Sequence, residues 1–146
     1  MAKRSRQEKY PDTTVFRYYN HNPRNRITSD CVVRAISTGV GIPYNQVVME
    51  MAQMQCETGY NDRSPQLIDR YLKSKGWIKC KQPRKEDNTK YTGEEFCLKL
   101  QHPIYCEELN LPDCDWHRMI AIIEGQINDI WDSSAGCIGN VWVRPA

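Results

Sequence analysis

The sequence predicts an α+β domain in which helices come first and strands follow. Three observations lead to this prediction. Apolar residues recur at helical spacing between about residues 30 and 100, in segments separated by glycine and proline. After Pro103 the pattern changes to short runs rich in isoleucine, valine and tryptophan, which are typical of strands. The length of 146 residues suits one domain with a core of its own.

Four helices are predicted before Pro103. The first follows the capping pair Ser29 and Asp30 and ends at the glycines at positions 39 and 41. The second follows Pro43, the third starts at Ser64 with proline at its first position, and the fourth starts at a capping box of Thr92 and Glu95. The residues expected to face the core from these helices are Val32, Val33, Ala35, Ile36, Val47, Val48, Met51, Met54, Leu67, Ile68, Tyr71, Leu72, Phe96 and Leu100.

Strands are predicted mainly in the C-terminal part of the chain. A short strand is expected at residues 77–81, after the third helix. Four more are expected at residues 104–107, 118–123, 127–131 and 141–143. The polar segment NLPDCD at residues 110–115 is interpreted as a loop that leads to a histidine-bearing strand, either as a linker or as part of a substrate cleft.

The N-terminal segment is strongly basic. Residues 1–26 carry seven lysines and arginines against two acidic residues, whereas residues 107–132 carry seven acidic residues against one arginine. We predict that residues 1–21 form a basic arm and that residues 22–146 form a single domain. The arm could bind nucleic acid, lie along the acidic half of its own domain, or be a solvated tail.

Cysteine usage and hydropathy indicate a protein of the cytoplasm, or of the host cytoplasm if a phage encodes it. Seven cysteines at irregular spacing do not form a disulfide framework, and no CxxC motif occurs. Cys106, Cys114 and His117 come nearest to a metal cluster but lack a fourth ligand, so no metal or other cofactor is predicted. The N-terminus has no apolar signal region, and no apolar run is long enough for a membrane span.

The segment HRMIAIIEGQINDIWDSS predicts a β-hairpin with Glu124 and Gly125 as its turn. In this register the numbers of paired residues sum to 249, so His117 lies opposite Asp132, with Cβ atoms about 4.5–5.5 Å apart. Asp132 could then orient the imidazole and leave its other nitrogen free as a base. The alternatives are an ordinary polar pair, a one-residue slip of the register, or Asp129 as the orienting acid.

Cys31 stands at the first turn of the first predicted helix, directly behind its capping residues. A helix N-terminus presents unsatisfied amide donors and a partial positive charge, and both favour a thiolate. The amide of Cys31 could also hold an oxyanion during acyl transfer. Together with His117 and Asp132, Cys31 would complete a Cys-His-Asp arrangement. The alternative for Cys31 is a small buried core residue.

The motifs DCVVRAI at 30–36, HRMIAIIEGQINDIWDSS at 117–134 and NVWV at 140–143 resemble the papain-like cysteine peptidase superfamily, especially its small phage and bacterial members. The resemblance runs from about residue 22 to the C-terminus. It implies N-terminal helices packed on a C-terminal antiparallel sheet, with the nucleophile at the start of the first core helix.

The resemblance also implies roles for individual residues. Cys31 is the implied nucleophile, His117 the general base and then acid, and Asp132 the residue that orients it. Family members commonly place a glutamine about six residues before the nucleophile to stabilise the oxyanion. Asn25 stands at that position here, with Asn22 as its competitor. A tryptophan that shields the histidine and the acid would be Trp116, Trp131 or Trp142.

The sequence thus predicts a thiol hydrolase or acyl transferase that acts on an amide or isopeptide bond of a protein or peptide. One alternative is a catalytically inactive binding protein with the same fold. The other is a nucleic-acid binder that uses the basic arm and its aromatic residues for base stacking. Those aromatic residues are Tyr10, Phe16, Tyr18 and Tyr19.

Overall fold

The computed structural model describes residues 5–101, 109–114 and 118–144. Within these residues the chain forms five helices and seven strands. The helices are α1 (Arg6–Lys9), α2 (Cys31–Val40), α3 (Tyr44–Thr58), α4 (Pro65–Ser74) and α5 (Gly93–Leu100). The strands are β1 (Phe16–Tyr18), β2 (Ile78–Cys80), β3 (Leu109–Cys114), β4 (Arg118–Met119), β5 (Ala121–Ile123), β6 (Gln126–Asp129) and β7 (Ile138–Val143).

The strands form one mixed sheet in the order β1-β6-β5-β3-β7-β2. β4 and β5 pair with successive parts of β3, and Ile120 between them donates its N–H to Pro112 O at 3.0 Å. They therefore behave as one interrupted strand. All of these pairs are antiparallel except β1 with β6, which is parallel. The predicted α+β class is confirmed. The sheet was expected to be antiparallel, and all of its strand pairs are antiparallel except that of the edge strand β1 with β6.

Helices cover both faces of the sheet. α2, α3 and α4 pack on one face, where their apolar residues meet Leu111, Met119, Ala121 and Trp142. α5 packs on the other face. Side chains alternate between the two cores along β4 and β5, because successive residues of a strand point to opposite faces. The second core consists of Val15, Phe16, Phe96, Cys97, Leu100, Ile120, Ile122, Ile127, Ile138 and Val141.

The four predicted helices are confirmed, with small differences. α2 begins at Cys31 and ends at Val40, and the following Gly41, with a positive φ of 79°, is its left-handed C-cap. Gly39 does not end α2 but lies inside it, where a Cβ atom would come within 2.6 Å of Leu111 Cδ2. Val48 is 39% exposed and does not join the core. Both hydrogen bonds of the capping box at the start of α5 form as predicted.

The prediction of a separate basic arm is wrong for the segment that contains β1. Val15 and Phe16 are buried in the second core, and β1 pairs with β6 along its whole length. Arg6 Nε also donates a hydrogen bond of 2.7 Å to Ile130 O. The physical reason is that β6 would otherwise expose an unpaired edge and leave its core open. The local sequence gives little sign of this, because the apolar run is only two residues long.

Residues 110–114 of the segment interpreted as a polar loop belong instead to the strand β3, which lies between β7 and the interrupted strand formed by β4 and β5. Pro112 fits inside the sheet because the register shifts between Pro112 and Cys114, and a proline is tolerated at such an irregularity. The Asp113 carboxylate accepts hydrogen bonds from the Asn140 backbone N–H at 2.6 Å and from Asn140 Nδ2 at 3.0 Å. The strand predicted at residues 104–107 lies outside the described residues.

The predicted two-residue hairpin is confirmed. Glu124 and Gly125 both have positive φ, 53° and 75°, as a type I′ turn requires. β5 and β6 pair in the predicted register, with Ala121 opposite Asn128 and Ile123 opposite Gln126. The strand β6 ends at Asp129, two residues earlier than the predicted strand end.

Gly125→Ala is expected to destabilise the fold more than Gly59→Ala. Both glycines have φ near 75–79°, so both substitutions carry the left-handed backbone cost of about 1–2 kcal/mol. A Cβ atom at Gly125 would also overlap Gln101 Cγ and lie 3.0 Å from Cys97 O, whereas a Cβ atom at Gly59 meets nothing within 4 Å. Urea unfolding of the two variants measures the difference, which we expect to be about 1–2 kcal/mol. Equal losses would contradict the steric argument.

Candidate active site

Cys31 is the first residue of α2, and its side chain is buried, with 6% of its surface exposed. The residue before it, Asp30, is the N-cap of the helix. Within the described part of the chain, the Asp30 side chain makes no capping hydrogen bond to the first turn. Side chains of N-cap aspartates commonly fill one of the free amide N–H groups. At the start of α2 that capping bond is missing, beside the thiol.

The Asp30 carboxylate is held instead by three other side chains. Its Oδ2 accepts hydrogen bonds from Tyr44 OH at 2.6 Å and from Asn22 Nδ2 at 3.0 Å, and its Oδ1 accepts one from Arg34 Nε at 2.7 Å. Burial acts to raise the pKa of Asp30, but these hydrogen bonds and the charge of Arg34 outweigh it and lower the pKa below the usual value for an aspartate. Asp30 is therefore ionised, and both of its carboxylate oxygens accept hydrogen bonds from side chains.

A buried charge network, which we call the α2 anchor, continues from Asp30 across the sheet. It consists of Asp30, Arg34, Asp129 and Arg118. Arg34 Nη1 lies 2.5 Å from Asp129 Oδ1, and Arg118 binds the same carboxylate in bidentate fashion at 2.6 Å and 3.0 Å. Arg34 and Asp129 are almost completely buried. The α2 anchor therefore ties the start of α2 to the ends of β6 and β4.

The α2 anchor occupies the aspartate considered as the alternative orienting acid. In addition to both arginines, Asp129 Oδ1 accepts a hydrogen bond of 2.7 Å from the backbone N–H of Ile130. Both oxygens of the Asp129 carboxylate are thus already bonded within the α2 anchor. Sequence reasoning missed this role of Asp129 and both arginines. The available signal was Arg34, a charged residue in an otherwise apolar helical segment, since an arginine buried there requires an acidic partner.

The predicted pairing of His117 with Asp132 stays a prediction, because His117 lies outside the described residues. Paired strand residues end at Ala121 and Asn128. Farther out, the Arg118 guanidinium carbon lies 5.0 Å from the centroid of the Trp131 ring, and these two numbers also sum to 249. Asp132 Oδ1 accepts a hydrogen bond of 3.0 Å from the Ser134 backbone N–H. The contacts between the segment that begins at Arg118 and the segment after β6 therefore continue to Trp131, the residue before Asp132.

Asp132 influences the buried thiol of Cys97. Burial, together with the negative charge of Asp132, raises the pKa of Cys97 to about 12. Cys97 lies on α5, in the core on the face of the sheet opposite Cys31. A thiol in this environment stays protonated at neutral pH and makes a matched buried reference for Cys31.

The two candidates for the oxyanion amide differ in their surroundings. Asn25 is exposed, has a positive φ of 52°, and its Oδ1 accepts a hydrogen bond of 3.3 Å from Asn20 Nδ2. Asn22 lies against the start of α2 through its bond to Asp30. Asn25 stays a prediction. Its competitor Asn22 contacts the residue before the nucleophile, but its Nδ2 already donates to Asp30 Oδ2 at 3.0 Å and to Tyr44 OH at 3.4 Å.

The three tryptophans considered as a shield for the histidine and the acid also differ in their positions. Trp142 is completely buried in the core below α2–α4, and its Nε1 donates to Asp69 Oδ1 at 3.0 Å, so it is a packing residue. Trp131 contacts the arginine of the α2 anchor on β4. Trp116 lies outside the described residues. Trp131 is therefore the tryptophan that stands next to the segments predicted to carry the histidine and the acid.

His21, the histidine that the structure describes, occupies a different place. Its Nδ1 lies 2.6 Å from Tyr19 OH, and it lines a cavity with Ser37 and Thr38 from the C-terminal half of α2. Those two residues are about 9 and 10.5 Å along the helix axis from Cys31, at about 1.5 Å per residue. His21 therefore faces the far end of the helix.

An open cavity of about 640 Å³ adjoins the start of α2, and we call it the α2 cavity. Its wall includes Asn22 and Tyr44, both of which bind the carboxylate of Asp30. The complete lining is Asn22, Pro23, Arg24, Arg26, Ile27, Thr28, Tyr44 and Asn45.

In the described ranges no group of three histidine, cysteine or acidic side chains could hold a metal ion. Of the three residues considered for a metal cluster, Cys106 and His117 lie outside those ranges. None of the helices that the structure describes combines the length and the apolar character needed to cross a bilayer.

Comparison of the chain with protein-family models, with curated proteins and with solved structures found no match. The assignment of a function therefore rests on the geometry around α2.

Proposed function

We propose that the chain is a papain-like thiol hydrolase or acyl transferase that acts on an amide or isopeptide bond of a protein or peptide. The observation that carries the proposal is the thiol of Cys31 at the first turn of α2, where the N-cap carboxylate is turned away from the helix amides. The free amides and the helix dipole favour a negative charge at this point. A thiolate and an oxyanion are the two negative charges of acyl transfer.

In the proposed mechanism His117 accepts the proton of Cys31, and the thiolate sulfur attacks the carbonyl carbon of the substrate. The tetrahedral oxyanion is held by the backbone N–H of Cys31, with Asn25 as the second donor. His117 then gives its proton to the leaving amine as the C–N bond breaks, and a thioester remains. Water, or an acceptor amine in a transferase, attacks the thioester while His117 takes its proton, and Cys31 is released.

The arrangement of the elements supports a histidine at this place. His117 is the residue immediately before β4 in the sequence, and β4 packs against α2. Arg118, the first residue of β4, is fixed to α2 through Asp129 and Arg34. In the proposal Asp132 orients His117 from the segment after β6, where Trp131 already contacts Arg118.

Contacts of the N-terminal segment within its own domain argue against the nucleic-acid alternative. Arg6 and Arg17 of the supposed arm donate hydrogen bonds to Ile130 O and to Asn128 Oδ1 of the same domain. Phe16, one of the aromatic residues proposed for base stacking, is completely buried. The segment thus contributes to the fold, and stacking on Phe16 would require β1 to leave the sheet.

Site-resolved alkylation by iodoacetamide between pH 5 and 9 tests the proposal. We expect Cys31 to react at least about tenfold faster than Cys97 at pH 7, because the helix terminus and His117 favour its thiolate. His117→Ala is expected to remove most of this advantage. The exposed Cys56 reports the reactivity of an ordinary accessible thiol in each protein. Peptide mass spectrometry separates the individual sites.

The matched variant for this measurement is His21→Ala, because His21 faces the far end of α2. It should leave the reactivity of Cys31 unchanged. A Cys31 that reacts no faster than Cys97 in the wild-type protein would rule out an activated nucleophile and favour the inactive binding protein.

A further inference from the structure

We propose that the α2 cavity binds an acidic side chain of the substrate, so that the enzyme acts on bonds close to an aspartate or glutamate. This inference rests on the proposed function, because it places the cavity beside the nucleophile of that reaction.

The α2 cavity and the start of α2 share a wall. Thr28, which lines the cavity, is three residues before Cys31 in the chain. Asn22 and Tyr44 line it as well, and both donate hydrogen bonds to the residue directly before the nucleophile. A peptide bound with its scissile carbonyl at Cys31 would therefore extend a neighbouring residue into this cavity.

The charged side chains that line the α2 cavity are the guanidinium groups of Arg24 and Arg26. Arg24 and Arg26 are exposed, and neither forms an ion pair with a described residue. The carboxylate in the shared wall is already neutralised by Arg34. A third guanidinium lies near the start of α2, since Arg63, in the turn before α4, donates a hydrogen bond of 3.3 Å from its Nη2 to Ser29 O. The cavity therefore carries a positive potential that attracts a carboxylate.

The backbone that carries these arginines is fixed on both sides. The backbone N–H of Arg24 donates to Asn22 Oδ1 at 2.9 Å, and the carbonyl oxygen of Arg26 accepts a hydrogen bond of 3.0 Å from Asn20 Nδ2. The Asn25 N–H also binds Asn22 O at 2.9 Å. The loop thus presents its charges from a defined position, which reduces the entropy that a bound ligand must overcome.

An acidic peptide fits the α2 cavity better than a nucleic acid. Ile27 is 51% exposed at its rim beside Pro23, and such apolar surface suits the carbon portion of a peptide side chain. Nucleic-acid sites pair a row of basic groups with aromatic faces for base stacking. Here the two arginines of the lining lie within one short loop, and the lining has a single aromatic residue, Tyr44, whose hydroxyl is already bonded to Asp30.

The first test compares two alkylating reagents that differ in one group. Iodoacetate carries a carboxylate where iodoacetamide carries a neutral amide, so the ratio of their rates at Cys31 reports the local potential. We expect Arg24→Gln combined with Arg26→Gln to lower this ratio about threefold to tenfold at low salt. The matched control is Arg70→Gln, an exposed arginine of α4 outside the cavity lining, which should leave the ratio unchanged. Added salt should weaken the effect in the wild-type protein.

The second test measures binding without the nucleophile. Fluorescence anisotropy of Cys31→Ala protein should show that a labelled peptide of four glutamates binds at least about tenfold more tightly than its glutamine counterpart. Substitution of both cavity arginines should remove this preference, whereas Arg70→Gln should keep it. A single-stranded oligonucleotide of equal charge serves as the competing ligand.

The outcomes separate the inference from the proposed function. If Cys31 is activated but neither the rate ratio nor the peptide preference depends on the two arginines, the inference is wrong and the proposed function stands. If Cys31 is not activated, the proposed function fails, and glutamate binding that requires both arginines still supports the cavity as an acidic-peptide site. Lack of glutamate-peptide binding, or tighter binding of the oligonucleotide at the same two arginines, would overturn the inference of an acidic-peptide site.

Discussion

Asp129→Asn is expected to destabilise the protein by about 3–5 kcal/mol. The substitution removes the negative charge that compensates Arg34 and Arg118 at the centre of the α2 anchor. Arg34 is almost completely buried, and its Nη2 has no hydrogen-bond partner in the described part of the chain even in the wild-type protein. Removing one member of a buried charged cluster leaves the others desolvated without compensation, which costs more than the cluster itself contributes.

Chemical denaturation measures this loss, and Lys73→Ala supplies the comparison. Lys73 forms an ion pair of 3.7 Å with Asp69, but 70% of its side chain is exposed. Removing this surface pair should change the free energy of unfolding by less than about 0.5 kcal/mol. We further expect Asp129→Asn to slow the alkylation of Cys31 under conditions where the variant is folded, since the start of α2 is then no longer fixed to β4. A loss similar to that of Lys73→Ala would show that the α2 anchor is not a structural element.

Phe16→Ala is expected to destabilise the protein by about 3–5 kcal/mol. Phe16 is completely buried against α5 and the sheet, and its replacement leaves a cavity in the second core while the pairing of β1 with β6 loses its main side-chain contact. A residue of a solvated basic arm would show almost no effect.

The control for this prediction is Ile27→Ala. Ile27 is an apolar residue of the loop before α2 and is 51% exposed. Its replacement should change the free energy of unfolding by at most about 0.5 kcal/mol, as expected for an exposed position. If Phe16→Ala is as mild as Ile27→Ala, β1 does not contribute to the stability of the sheet.

The helices and the hairpin could be predicted because their signals are local. A capping box, a left-handed glycine and a two-residue turn act within four or five residues, so the sequence around Thr92 or Gly125 contains the information. β1 and β3 were missed because tertiary neighbours determine them. Phe16 becomes part of a strand only when β6 lies beside it, and Pro112 fits inside a sheet only at a change of register.

The candidate site likewise combines a feature that could be predicted from local sequence with features that depend on distant residues. The place of Cys31 at a helix start follows from the local capping pattern, and the structure has it there. The α2 anchor was not predicted because Arg34 and Asp129 are 95 positions apart in the chain. No spacing rule joins two such residues, although the arginine inside an apolar helix indicated that an acid must lie near it. His117 and Asp132 remain a prediction from register.

The parallel pairing of β1 with β6 has a consequence for the order of folding. Its partners are far apart in the sequence, with Phe16 opposite Ile127, so this pair cannot form until β6 has left the ribosome. The same delay applies to the bond between Arg34 and Asp129. Closing so large a loop is slow, because its entropic cost precedes the contacts that repay it. During synthesis, therefore, α2 with Cys31 emerges long before its anchor exists, and a prematurely terminated chain would carry the thiol without the surroundings proposed to activate it.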